Sequence, residues 1–99
     1  MKILALEHEL PGAQPERFRE YADAEARRVW ELYQAGVIRE LYFRADWNEA
    51  ILILEHTSLT KVRAVLESLP FVQAGLIRFE IIPLKAYPGF ERLFKKGHE

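Results

Sequence analysis

The chain has 99 residues, of which 49% are hydrophobic, which suits one small domain and not two. Lys+Arg 14 against Asp+Glu 15 leave a formal net charge of -1 and no electrostatic footprint for nucleic acid. With no cysteine, disulfides, thiolate nucleophiles and cysteine-ligated zinc are excluded together.

A domain of this size leaves much of its surface exposed and is only marginally stable alone. Half its residues are apolar and no cross-link supplements the core, so burial against a second copy is expected. The start, Met1-Lys2-Ile3-Leu4-Ala5-Leu6, has the look of a signal peptide, but Glu7, His8 and Glu9 interrupt it too early. No run approaches the ~20 apolar residues of a membrane span. The expectation is a soluble, cytoplasmic protein that binds neither membrane nor nucleic acid.

Residues 3–8 read as a strand, broken by Leu10-Pro11-Gly12. Pro15 suits the first turn of a helix, where its missing N–H costs nothing, and that helix is expected to run to Gln34 and stop at Gly36. Residues 37–44 and 50–56 form a hairpin around Asp46-Trp47-Asn48-Glu49. Thr57 or Ser58 can cap a second helix, with Leu59, Val62, Leu66 and Leu69 on its apolar face and Pro70 ending it. Residues 76–84 are a fourth strand. A turn at Tyr87-Pro88-Gly89 leads to Phe90, Leu93 and Phe94, which are spaced for a helical face.

The order βαββαβ predicts an α+β, ferredoxin-like domain: a four-stranded antiparallel sheet of order 4-1-3-2 with both helices on one face. Ile51-Leu52-Ile53-Leu54 is apolar on both parities, as a central strand should be. Alternation assigns Ile3, Ala5, Ile38, Ile51, Ile53, Leu76 and Ile82 to the face away from the helices, among Glu7, Glu40, Tyr42, Arg44, Glu55, Arg78 and Glu80. So much aliphatic surface points to two sheets stacked in a homodimer.

Glu25 is the sharpest chemical anomaly. At about 100° per residue it falls near the centre of a stripe formed by Phe18, Tyr21, Ala22, Val29, Leu32 and Tyr33. Burial among these residues raises a carboxyl pKa, and a glutamate held near neutrality suits general acid–base work. The alternative is a structural glutamate paired with an arginine of the sheet. Arg39 shares the parity of Val37, Leu41 and Phe43, which is assigned to the helix side, beside Leu54 or His56. There it could hold a substrate carboxylate, stabilise an oxyanion, or pair with Glu25. His56 could assist a proton transfer or simply end its strand. His8 and His56 fall at opposite ends of the sheet and His98 lies in the tail, so no metal-ligand spacing emerges. Ser58 and Ser68 lack a nucleophile elbow, and the five glycines form no phosphate loop. Trp30, on the flank of the helix stripe, is a candidate subunit contact.

From Glu25 through Pro70 the sequence resembles muconolactone isomerase, a small cofactor-free isomerase of aromatic catabolism. The similarity rests on Glu25, Leu32, Gly36, the run Arg39-Glu40-Leu41-Tyr42, Ala45, Ser58 and Leu69-Pro70, with weaker likeness at Phe79-Glu80-Ile81 and Tyr87-Pro88. The family has Arg-His-Leu-Trp where this chain has Arg39-Glu40-Leu41-Tyr42, and the family's polar, aromatic third strand is aliphatic here. The resemblance implies a dimeric α/β barrel, with a larger ring such as that isomerase's decamer as a further assembly. It also implies chemistry without cofactor or metal on a small-molecule substrate.

Three functions are therefore expected to compete. One is a cofactor-independent isomerase acting on a small carboxylated lactone or enol-type compound, with Glu25 and Arg39 catalytic and Tyr21 and His56 lining the pocket. The second, of the same superfold, is a cofactorless oxygenase or haem-handling enzyme. The third is a non-catalytic ligand-binding or assembly domain. A pocket filled by Phe18, Phe79 and Leu54 would favour the third, and an open cleft beside Glu25 an enzyme.

Overall fold

A computed structural model describes residues 1–94, so His98 lies outside the described residues. The chain runs β1 (Lys2–Glu9), α1 (Pro15–Gln34), β2 (Ile38–Phe43), β3 (Ala50–Glu55), α2 (Leu59–Glu67), α3 (Pro70–Gln73), β4 (Ile77–Leu84) and a 3-10 turn (Gly89–Leu93). The four strands pair antiparallel in the order β2-β3-β1-β4, the ferredoxin-like arrangement that the element order requires. No helix among the described residues is long and apolar enough to cross a membrane.

Local chemistry sets the helix ends. Pro15 opens α1 after an extended Gln14. At the other end Gly36 adopts φ +77, the Val37 N–H reaches Leu32 O at 3.0 Å, and the Gly36 N–H reaches Tyr33 O at 3.1 Å. This paired closure needs a left-handed residue, a conformation in which a Cβ is strained. Ser58 is the cap of α2, its Oγ accepting from the Lys61 N–H at 3.2 Å. Pro70 was expected only to end α2; instead α2 stops at Glu67 and Pro70 starts α3. Its fixed φ is pre-set for a first helical position, so the same ring that cannot continue one helix begins the next.

The core lies between the sheet and the helices. Ile3, Ala5, Leu52 and Leu54 come from the sheet, Leu32 from α1, Val62 and Leu66 from α2, and Leu69 from the junction with α3. Removing each large aliphatic side chain from water stabilises the fold by about 1.5–3 kcal/mol.

This arrangement corrects two face assignments. Ile3 and Ala5 are fully buried beneath the helices, not on the far face, and Glu7 follows them two residues on. The far side of β1 carries Leu4, Leu6 and His8, with Ile53, Ile51 and Arg78 as cross-strand neighbours. Ile38 is also in the core, because β2 contains a register shift between Ile38 and Glu40. Ile38 opposes Leu54 and Leu41 opposes Leu52, so one extra residue lets an even- and an odd-numbered side chain reach the same face. That extra residue is Arg39.

Beyond β4, Tyr87, Phe90, Leu93 and Phe94 are exposed, with the Tyr87 and Phe90 rings edge to face at 5.1 Å. The exposed Tyr87 ring lies over Gly89, in the space a Cβ on residue 89 would take.

Gly36→Ala should destabilise the protein by ~1 kcal/mol in urea unfolding. The cost is a backbone one, because an added Cβ would meet only the Arg39 Nε, at 3.9 Å.

Candidate active site

The stripe of α1 does two jobs. Its C-terminal part, Val29 and Leu32, packs onto the core, whereas Phe18, Ala22, Glu25 and Ala26 wall an open cleft of about 830 Å³. The opposite walls come from Leu41 and Phe43 on β2, Ala50 and Leu52 on β3, Phe79 on β4 and Phe71 on α3. Three small side chains, Ala22, Ala26 and Ala50, leave the volume between these aromatic walls unfilled. Phe18 and Phe71 meet edge to face at 5.2 Å along one side, so the aromatic residues form walls and not a plug.

Glu25 is half-buried in this wall, and its Oε1 accepts the Phe71 N–H at 2.9 Å. Phe71 sits in the first turn of α3, whose preceding residue, Leu69, offers no side-chain cap. The carboxyl thus satisfies a free helix N–H across 46 residues of sequence. Burial pushes its pKa up and the amide pulls it down; burial wins, and the carboxyl lies above the ordinary value of 4.5. Among the described residues Glu25 forms no ion pair, so the expected arginine partner is replaced by a backbone amide.

The other expected site residues lie elsewhere. Arg39 is absent from the cleft lining and exposed, its Nε donating to Gly36 O. The bulge in β2 removes it from the parity that would have aimed it at Glu25. His56 is outside the lining as well, its Nδ1 accepting from the Thr57 N–H at 2.8 Å. Tyr21 lies away from the lining with the Arg17 guanidinium 5.6 Å from its ring centroid. His8 pairs with Glu80 at 3.1 Å on the far face. Trp30 is exposed and stacks on Tyr33 at 6.0 Å.

Sequence reasoning missed Glu7 and Arg19, which both line the cleft. Glu7 is half-buried, and its Oε1 accepts the Ala50 N–H at 3.3 Å. Burial is the largest influence on it, opposed by that amide and reinforced by the negative charges of Glu49, Glu25 and Glu9, and its pKa is raised to about 7. The available signal was the apolar pair Ile3 and Ala5, since a glutamate two residues further along a strand shares their face. Arg19 is the one cation among the described lining residues.

A split βαββαβ sheet with an apolar, acid-lined cleft between α1 and one face defines a ferredoxin-like domain of the dimeric α/β barrel fold. The muconolactone delta-isomerase family model matches residues 5–89, and the chain belongs to that family. Among solved structures, muconolactone isomerase aligns with TM-score 0.75 at 19% identity, over 89% of this chain and 92% of its own. The 5-chloro-2-hydroxyhydroquinone dehydrochlorinase TftG from Burkholderia phenoliruptrix AC1100, in complex with 2,5-dihydroxybenzoquinone, aligns with TM-score 0.70 at 21% identity, over 90% of this chain and 98% of its own. No curated protein sequence matches the chain. The family and both likenesses are to enzymes that convert small molecules.

The raised pKa of Glu7 has a consequence for stability. Its native carboxyl holds a proton at pH values where the unfolded chain, titrating near 4.5, has released it. The native state therefore binds more protons between about 4.5 and about 7, and stability falls as pH rises through that window. Wild type should melt at a lower temperature at pH 8 than at pH 5, and Glu7→Gln should flatten much of that decline in paired thermal scans.

Proposed function

We propose that this protein is a cofactor-independent enzyme that shifts a proton in a small carboxylated lactone or enol-type compound, as a muconolactone isomerase does. The observation that carries the reading is the open apolar cleft with the Glu25 carboxyl in its wall. In its ionised form Glu25 takes a proton from a carbon next to the carbonyl, and the electron pair of that C–H bond moves into an enolate. Reprotonation at a second carbon completes the isomerisation. An apolar surround strengthens every charge interaction with that enolate and keeps the base poorly solvated. A substrate carboxylate would meet Arg19 rather than Arg39, since Arg19 is the cation facing the cleft. The quinone seen with TftG supports a flat, oxygenated ring as the kind of molecule such a cleft holds.

The far face of the sheet supports assembly. Leu4, Leu6, Ile51, Ile53 and Ile82 are only half covered there, and in the proposed dimer a second copy's sheet stacks on them. Light scattering on a size-exclusion column should give at least twice the chain mass for wild type and a monomer for Leu6→Asp. A monomeric wild type would sink the dimer.

The bond from Phe71 N–H to Glu25 also supports a purely structural role, with the protein a binding domain. The two readings separate on one variant. Glu25→Gln keeps a carbonyl oxygen for the Phe71 amide, so its melting temperature should stay near wild type while turnover of muconolactone falls by about 100- to 10,000-fold. Unchanged turnover with a large drop in melting temperature would show a structural glutamate instead.

A further inference from the structure

Reprotonation needs a donor, and the cleft holds a second carboxyl that the family resemblance leaves unassigned. Glu7 stands on the helix-facing side of β1, in line with the buried Ile3 and Ala5, and its cross-strand neighbour Phe79 is itself a wall of the cleft. The cleft is lined by Glu25 from α1 and by Glu7 and Glu9 from β1, so a molecule between helix and sheet meets carboxyls from both layers, Glu9 exposed and Glu7 and Glu25 the half-buried pair. The two carboxyls are built alike. Each accepts one backbone N–H through Oε1, from Ala50 at 3.3 Å and from Phe71 at 2.9 Å, and among the described residues neither forms an ion pair.

We propose that Glu7 is the second proton-transfer group of this cleft, its carboxylic acid giving a proton to one carbon of the substrate while the Glu25 carboxylate takes one from another. The proposal rests on the reading of the cleft as a proton-transfer site. At Glu25 a C–H bond breaks, its proton becomes the Glu25 O–H and its electron pair forms the enolate. At Glu7 the O–H bond breaks, the enolate pair forms the new C–H bond, and Glu7 is left ionised. One proton enters the substrate and one leaves it, so no oxidant or co-reactant is required. The reverse exchange with water then restores the starting charges.

The surrounding charges favour this division of labour. Glu25 on α1, Glu9 on β1 and Glu49 in the β2–β3 connection all add negative charge around Glu7, against the single lining cation Arg19 on α1. Two carboxylates sharing an apolar wall disfavour double ionisation, so the pair tends to keep one proton near neutrality. Glu7, raised to about 7, is the member able to carry it. The same excess of acid selects substrates with no more than one negative charge.

The test has two arms. Carbon-detected NMR titration of wild type and Glu25→Gln needs no substrate. A Glu7 midpoint near neutrality that moves down in Glu25→Gln supports the pair, and a Glu7 titrating like an ordinary glutamate overturns it. With muconolactone in D2O, Glu7→Gln should lose product formation by about 100- to 10,000-fold while still exchanging the proton that Glu25 removes. Full product formation by Glu7→Gln at an unchanged pH profile would show that Glu25 alone carries the proton across. Wild type that neither exchanges nor isomerises muconolactone overturns the proposed reaction, and the titration arm then decides the pairing by itself.

Discussion

A single hydrogen bond holds the proposed catalytic carboxyl in place: the Phe71 amide of α3 against the carboxyl of Glu25 on α1. It fixes where an otherwise unpaired acid sits in an apolar wall, and it gives the short helix α3 the acceptor that Leu69 cannot provide. One amide compensates burial only in part, so the carboxyl retains its proton to higher pH than a free glutamate. An arginine at the same place would have neutralised it and lowered its pKa. The absence of such a pair among the described residues is what leaves Glu25 suited to exchange protons.

The fold supplies this setting through two irregularities. The first is Pro70, which begins α3 three residues after α2 stops at Glu67, aiming the Phe71 N–H back across the domain. The second is the bulge in β2, which places Ile38 in the core and leaves Arg39 exposed at the edge strand, bonded to Gly36. Had β2 kept strict alternation, Arg39 would share the face of Leu41 and lie within reach of the cleft. Small residues complete the device. Alanines at 22, 26 and 50 keep the wall from closing, where leucines would have extended the core.

Most of the architecture was legible in the sequence because it follows from punctuation: Pro15 and Gly36 bracket α1, Ser58 caps α2, and the apolar run of β3 identifies a central strand. Glu25 was legible because helical periodicity places a carboxylate among Phe18, Ala22 and Val29 regardless of what the rest of the chain does. The facing of β1 was not. Ile3-Leu4-Ala5-Leu6 is apolar on both parities, so alternation alone cannot say which side meets the helices, and Glu7 went with the wrong side. The placement of Arg39 failed for a different reason, since a bulge changes phase without leaving a mark such as Gly or Pro in Ile38-Arg39-Glu40. Both errors concern side-chain direction, which tertiary packing decides, and neither touches the order of elements.

Family membership and the shared fold narrow the chemistry to small-molecule conversion, but fold alone does not choose a reaction. The account depends on the state of the Glu25 carboxyl in the native protein. Selective carbon-13 labelling of glutamate side chains, with Glu25→Gln to assign the resonance, would follow that carboxyl directly through a pH titration. A midpoint above the 4.5 of an ordinary glutamate is the predicted result. A midpoint at or below that value would show a carboxyl stabilised in its charged form by the protein, and would contradict the proton-transfer role.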